Sequence, residues 1–107
     1  MHKDLYDSLT NLNNFVDGLM YIDSSFTIVY HKQFHENEGK TPFHEKETIG
    51  KKLTEVLLDY DTENGPLYRA VKFGEYTINS LQQLKFYTGV TLQALCTVMP
   101  VRKETPS

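Results

Sequence analysis

The sequence is poor in the features that mark secreted, membrane-spanning and nucleic-acid-binding proteins. A single cysteine excludes an intrachain disulfide framework and fits a reducing compartment. The longest uninterrupted apolar stretch, residues 19–22, falls far short of the roughly 20 apolar residues that a membrane span needs. The first residues contain no apolar signal segment, and a net charge of −3 provides no basic footprint for nucleic acid. We therefore expect a cytoplasmic protein that contacts neither a membrane nor nucleic acid.

The chain, at 107 residues, has the length of one domain. Only 39% of its residues are apolar, but seven tyrosines and six phenylalanines contribute a large area per residue to a core. Intrinsic disorder is therefore not expected. Neither an internal repeat nor a glycine-rich phosphate loop is present.

The first third of the chain has the apolar spacing of a helix followed by two strands. Four apolar residues lie on one face of a leading helix at 1–16, namely Leu5, Leu9, Leu12 and Phe15. This helix either covers the core or packs against its twin in a dimer. Two short strands follow on either side of a turn at Asp23-Ser24-Ser25. In the second strand the alternation of Phe26, Ile28 and Tyr30 predicts that these three face the core.

The rest of the chain reads as polar loop, helices and a long hairpin. Residues 31–48 are very polar and predict loop and short helical turns. Helical spacing then occurs at 49–58 and again from Pro66, with Gly74 as its end. Two β-like segments at 76–87 and 90–101 flank a turn at Thr88-Gly89. Helices and strands are thus segregated along the chain, which predicts an α+β fold with an antiparallel sheet.

A set of short motifs occurs in the order and spacing of a known family. The motifs are Asp17-Gly18-Leu19-Met20-Tyr21-Ile22-Asp23, Ile28-Val29-Tyr30, Ile49-Gly50-Lys51-Lys52-Leu53, Glu63-Asn64-Gly65-Pro66-Leu67, Gly74-Glu75, Gly89 and Met99-Pro100-Val101. Together they resemble PAS domains over residues 5–101. The run at 49–74 is most similar to the N-terminal PAS sensor domains of bacterial sigma-54-dependent transcriptional regulators of the arginine-utilisation type.

The resemblance implies a five-stranded antiparallel sheet with helices on one face, a PAS core at 17–101 and a tail at 102–107. It implies a non-enzymatic sensor that binds a small molecule, an amino acid by family analogy, or a partner, and relays a conformational change to effector domains. The family continues into a fifth strand after its Pro-Val match, whereas this sequence reads Arg102 to Ser107. Without that strand the two hairpins would share no backbone hydrogen bonds. We therefore expect a homodimer formed across the gap.

The candidate ligand-binding residues are those that pattern and resemblance place at the core. They are Met20, Ile22, Tyr30, Arg69, Phe86 and Cys96. Tyr30 is included because a buried phenol needs a hydrogen-bond partner, and Arg69 because a guanidinium can hold a carboxylate with two hydrogen bonds. The alternative is a filled core without a ligand, in which case the domain is a dimerisation module.

Other chemistries are poorly supported, so no metal, cofactor or catalytic residue is expected. His31 and His35 have helical spacing for zinc, but their segment is polar and completes no zinc motif. Haem-binding PAS domains usually supply a histidine from the helix before Gly74, and this segment has none. Flavin-binding PAS domains carry an Asn-Cys-Arg-Phe-like motif, which is also missing. Cys96 lies in an apolar strand phase, where a free thiol behaves as a small hydrophobe. The acidic run at 59–63 reads as a solvated turn because it lacks a calcium-loop pattern.

Overall fold

A computed structural model describes residues 16–35 and 39–101. The predicted tail at 102–107 and all but the last residue of the predicted leading helix lie outside these ranges. The elements, in chain order, are β1 (Gly18–Ile22), β2 (Ile28–Gln33), α1 (Glu45–Thr48), α2 (Leu53–Val56), α3 (Pro66–Phe73), β3 (Thr77–Lys85) and β4 (Thr91–Val98). The predicted α+β class is confirmed. Over the described residues the strands form two separate antiparallel hairpins, β1–β2 and β3–β4.

The turn between β1 and β2 is organised by the carboxylate of Asp23. Its Oδ1 atom accepts hydrogen bonds from the backbone N–H groups of Ser25 and Thr27, at 2.9 and 3.0 Å. The Ser25 hydroxyl donates to the same oxygen at 2.7 Å. These donors favour the ionised form, and the pKa of Asp23 lies below its ordinary value, with the Thr27 N–H as the largest cause. The turn predicted from composition is therefore an Asx-type turn.

A β-bulge in the first hairpin changes which side chains face the core. The strand register shifts between Tyr21 and Ile22, so that Ile22 pairs with Ile28 whereas Tyr21 pairs with Tyr30. The buried residues of β2 reflect this shift. They are Ile28 and His31, which are three positions apart instead of the two expected for a regular strand. The prediction that Tyr30 faces the core together with Ile28 is wrong. Simple alternation misplaced it because the extra residue of a bulge moves the following side chains to the opposite face.

His31 lies in the core and connects β2 to α1, contrary to the prediction of a solvated loop. Its ring stacks on Phe43, with the centroids 3.4 Å apart and the planes 8° from parallel. Its Nδ1 atom lies 2.8 Å from the Oγ1 atom of the fully buried Thr48, whose hydroxyl donates to the Glu45 carbonyl at 3.2 Å. The ring and the hydroxyl thus share one buried hydrogen bond, whose direction depends on the imidazole tautomer. Burial disfavours the charged ring and lowers the pKa of His31 to about 3.

The strands of the second hairpin lie within the predicted segments at 76–87 and 90–101 but are shorter, at 77–85 and 91–98. The residues of β4 alternate between exposed and half-buried, and the inner set includes Ala94, Cys96 and Val98. Cys96 thus lies in the inward phase, as the apolar pattern predicts. The helix before the hairpin, α3, ends at Gly74, which adopts the left-handed conformation with φ 69°. That conformation favours glycine because it has no Cβ atom.

The segment at 50–58 is bonded to both hairpins. Towards the first hairpin, the Ile28 N–H donates to the Lys51 carbonyl and the Gly50 N–H to the Ile28 carbonyl, both at 2.8 Å. Towards the second hairpin, the Leu58 N–H donates to the Lys85 carbonyl at 2.7 Å and the Tyr87 N–H to the Val56 carbonyl at 2.9 Å. The helix α2 lies between these two sets of bonds.

The hydrophobic core surrounds α2. Its buried members are Ile28, Phe43, Leu53, Val56, Leu57 and Phe86. They come from both hairpins, from α2 and from the loop before α1. Leu53 has no solvent exposure, so its side chain is at the centre of this packing.

We expect Leu53→Ala to lower the free energy of unfolding by about 2–5 kcal/mol, because it removes core contacts and leaves a cavity. Met99→Ala is the matched control, since the Met99 side chain is 52% exposed, and it should cost less than about 1 kcal/mol. Urea unfolding followed by circular dichroism measures both. Equal losses in the two variants would contradict the central position of Leu53.

Acidification should destabilise the protein through His31. In the unfolded chain His31 is protonated below its ordinary pKa of 6.5, whereas in the folded chain its pKa is about 3. The free energy of unfolding therefore falls as the pH drops through this window, by up to about 1.4 kcal/mol per pH unit. His31→Phe should remove this part of the slope, whereas His44→Asn, at an exposed position, should retain it. Urea unfolding between pH 4 and pH 7 tests this, and an unchanged slope in His31→Phe would refute it.

Candidate functional site

An open cleft of about 440 Å³ lies between the start of α3 and the inner side of β3. Its walls are Leu58, Asp59, Tyr60, Asp61, Gly65, Pro66, Ser80, Gln82, Gln83 and Lys85. The cleft is open to solvent, and its walls carry both apolar and polar residues.

One wall of the cleft is a turn built on Asp61. Its Oδ1 atom accepts the backbone N–H groups of Glu63 and Asn64, at 2.9 and 3.0 Å. These bonds hold the pKa of Asp61 below its ordinary value, so the carboxylate stays ionised at neutral pH. Gly65 is buried under the turn, and a Cβ atom there would lie 2.7 Å from the Asp61 carbonyl oxygen. The acidic run is therefore a turn leading into α3, as predicted, and its close contact requires glycine.

A hydrogen bond between Tyr60 and Gln82 crosses the cleft floor. The Tyr60 hydroxyl donates to Gln82 Oε1 at 3.1 Å. Burial of the phenol raises the pKa of Tyr60 to about 12, so it remains a neutral donor. Gln82 Nε2 is buried and has no hydrogen-bond acceptor among residues 16–35 and 39–101. A buried donor without an acceptor costs about 1–3 kcal/mol, which makes this amide the most unusual polar group of the site.

Two of the predicted ligand-binding residues lie close enough to Tyr60 to influence its ionisation. They are Arg69, whose charge lowers the Tyr60 pKa, and Cys96, which raises it only in its thiolate form. Arg69 donates from Nη1 to the Asn64 carbonyl at 2.6 Å, and its Nε atom lies 3.2 Å from the Glu75 carboxylate. Its guanidinium thus secures the turn before α3. Burial raises the pKa of the Cys96 thiol, which keeps the sulfur neutral.

The other predicted residues lie elsewhere. Met20 and Ile22 pack against the hydrophobic core, and Phe86 is a buried member of it, 5.9 Å from the Phe43 ring centroid. Tyr30 lies on the opposite face of the first hairpin. The six candidates therefore do not form one site.

Tyr60 and Gln82 are the residues that the sequence interpretation missed. Gln82 occupies an inward position of β3, two residues from the apolar Leu84. A polar residue at an inward position of a strand is visible in the sequence pattern. It indicates a buried polar group, which requires a hydrogen-bond partner. Tyr60 stands alone between two aspartates and gives no comparable signal.

No group of three or more His, Cys, Asp or Glu side chains suited to a metal ion occurs within the described ranges. Of the helices that the structure describes, none has the length and hydropathy to cross a bilayer. Searches of family models, curated proteins and solved structures return no match to this chain. Any functional conclusion therefore rests on the residues of the cleft and the surface of the fold.

Removing the Tyr60 hydroxyl should destabilise the fold, because the whole Gln82 amide then lacks a partner. We expect Tyr60→Phe to lower the free energy of unfolding by about 1 kcal/mol. Tyr76→Phe is the control, since Tyr76 is 64% exposed, and it should have no measurable effect. Chemical unfolding at pH 7 compares them. The assignment fails if the two variants are equally stable.

Proposed function

We propose that this protein is a cytoplasmic sensory domain of the PAS type, in which a small molecule in the cleft controls a signal-responsive transcriptional regulator. The observation that supports this proposal is an open cleft of about 440 Å³ whose walls include the hydrogen-bonded pair Tyr60 and Gln82. Polar groups placed beside apolar surface in a cleft can orient a small molecule. The order of the PAS-like motifs along the chain is a second support.

The mechanism that we propose is a population shift. A ligand in the cleft contacts both the turn before α3 and the inner side of β3. It therefore binds better to the arrangement in which these two walls are at the correct separation, and it shifts the equilibrium only by that difference in affinity. Because α3 is followed directly by β3, a displacement of α3 is transmitted to the second hairpin and then to neighbouring domains.

Native mass spectrometry of the purified protein is the experiment that tests this proposal. It reports the oligomeric state and any retained small molecule at the same time. A species with additional mass supports the sensor and gives the mass of the ligand. Absence of added mass, together with unchanged hydrogen exchange of α3 on addition of metabolite extracts, would overturn it.

A ligand-free dimerisation module is the second candidate, and the outer face of the second hairpin favours it. Leu81 and Leu95 are directly paired across β3 and β4, and they are 67% and 68% exposed. Ile78 on the same hairpin is 70% exposed. Contiguous exposed apolar side chains are typical of protein interfaces, and a second copy of this chain would bury them.

Leu95→Glu distinguishes the dimerisation module from a monomeric domain. If two copies meet through this face, the buried charge should raise the dimer dissociation constant at least about tenfold. Thr54→Glu is the matched control, since it adds the same charge at an exposed position of α2, outside this hairpin. Sedimentation equilibrium compares the two variants. Equal dissociation constants, or a monomeric parent protein at high concentration, would exclude this interface.

A further inference from the structure

The outer edge of β4 lacks the features by which proteins usually protect an edge strand. Its eight residues, Thr91–Val98, contain neither a charged side chain nor proline. Among the described residues β4 pairs only with β3, and its stretch at 91–96 pairs without a bulge. Charged side chains, proline, bulges and short length are the devices that keep an edge from pairing with another chain. β4 is therefore open to a further strand.

The other strand edges of the two hairpins carry such protection. The far edge of β3 is partly occupied, because the Leu58 N–H donates to the Lys85 carbonyl at 2.7 Å. The first strand, β1, has only five residues and contains a bulge. In β2, Lys32 adds a charge, and Ile28 is bonded to the backbone of residues 50–51. Pairing with a further strand is thus favoured at β4.

The hydrogen bonds of the second hairpin show which backbone groups of β4 point to its outer edge. In an antiparallel pair, opposite residues alternate between those that exchange hydrogen bonds and those whose N–H and C=O groups point away from the partner strand. The Phe86 N–H donates to the Val90 carbonyl across the hairpin at 2.8 Å. The preceding residue, Lys85, bonds on the other side, to Leu58. Thr91 is opposite Lys85, so it and every second residue after it point to the outer edge. These further residues are Gln93, Leu95 and Thr97.

A two-fold axis at Ala94 uses all of these outward groups at once. With Ala94 opposite its own copy, two antiparallel β4 strands place Thr91 opposite Thr97 and Gln93 opposite Leu95. A register shifted in steps of two leaves some outward groups without a partner inside β4. An odd shift sets them against groups that already bond to β3. Because β4 has no charged residue, its side chains meet no like charge across the axis.

The pairing also removes the weakness of a two-stranded unit. A single hairpin is marginally stable in water, whereas three or more strands with an apolar face are stable. Two copies joined at β4 form a four-stranded sheet in the order β3–β4–β4–β3. A two-fold contact is closed by two copies, so that it yields a dimer and not a fibre.

We infer that the outer edge of β4 is a homodimerisation site, at which two copies of this chain pair antiparallel around Ala94 into one continuous sheet. The inference goes beyond the proposed function, because this edge is a different surface from the cleft and its pairing requires no ligand. It also differs from a contact through the outer face of the second hairpin, since backbone groups and not the Leu81 and Leu95 side chains make the bonds.

A single cysteine at position 94 tests the register directly. Ala94→Cys combined with Cys96→Ser places two thiols opposite each other, with Cα atoms about 4.5 Å apart, within the range of a disulfide. Mild oxidation should convert most of this variant into a covalent dimer on a non-reducing gel. The unaltered protein is the matched control. Its Cys96 would lie opposite Leu92 of the second copy and about 14 Å from the other Cys96, so it should not cross-link.

Proline at position 93 removes an N–H group that is used only between the two copies. We expect Gln93→Pro to raise the dimer dissociation constant at least about tenfold, because two symmetry-related hydrogen bonds are lost. Gln83→Pro is the matched control, since Gln83 is directly opposite on β3 and its N–H points to the other edge of the hairpin. This variant should leave the dissociation constant unchanged. Sedimentation equilibrium compares the two variants with the unaltered protein.

Hydrogen exchange of the unaltered protein decides the matter if the variants do not fold. The N–H groups of Gln93 and Leu95 should be protected at high protein concentration and lose this protection on dilution. Protection at every concentration would show that another segment of the same chain covers β4, and it would overturn the inference. Absence of protection at high concentration would overturn it as well.

Two further outcomes separate this edge from the other surfaces. A dimer that Leu95→Glu dissociates, and that does not cross-link at position 94, would place the contact on the outer face of the hairpin and overturn the edge assignment. Cross-linking at position 94 in a protein that retains no small molecule would support the edge and count only against the proposed sensor. The two proposals therefore fail independently.

Discussion

The backbone hydrogen bonds of the segment at 50–58 are the constraint on which the rest of the structure depends. Over the described residues no sheet ladder joins the two hairpins, so each two-stranded unit on its own would be only marginally stable in water. The segment donates to and accepts from the first hairpin at Ile28 and the second at Lys85 and Tyr87. The same stretch buries Leu53, Val56 and Leu57 between them. This one short segment therefore both joins the two hairpins by hydrogen bonds and contributes the central residues of the hydrophobic core.

Two buried polar groups show how differently such a group is accommodated. His31 has a stacked ring on one side and Thr48 at 2.8 Å, and it is kept neutral by its surroundings. It therefore contributes to packing at neutral pH and opposes folding in acid. Gln82 has a partner for its oxygen but none within the described residues for its nitrogen. The first group is explained by the described fold, whereas the nitrogen of the second has no partner within the described residues.

The elements were predictable where local physics decides them. The turn at Asp23 follows from hydrogen bonds of its side chain to the backbone. The start of α3 follows from the fixed φ of Pro66. The end of α3 at Gly74 and the turn at Thr88-Gly89 follow from the tolerance of glycine for a positive φ. The phase of β4 followed from alternation. The prediction for β2 was wrong, because a bulge of one residue moves the following side chains to the other face of the strand. The spacing of apolar residues gives no sign of such a bulge. Tyr30 was placed in the candidate site for the same reason, since its position was predicted from the alternation of residues in β2.

The sequence by itself determined the α+β class, the order of the described strands and the two ends of α3, because these depend on residues that are neighbours along the chain. Only the tertiary structure decided that His31 lies in the core, that Arg69 secures a turn, and that Tyr60 meets Gln82 across 22 positions of sequence. Such contacts depend on how the hairpins and α3 are brought together around α2. The cost of burying a polar group is set by the partners it finds there, and no local pattern of residues encodes them.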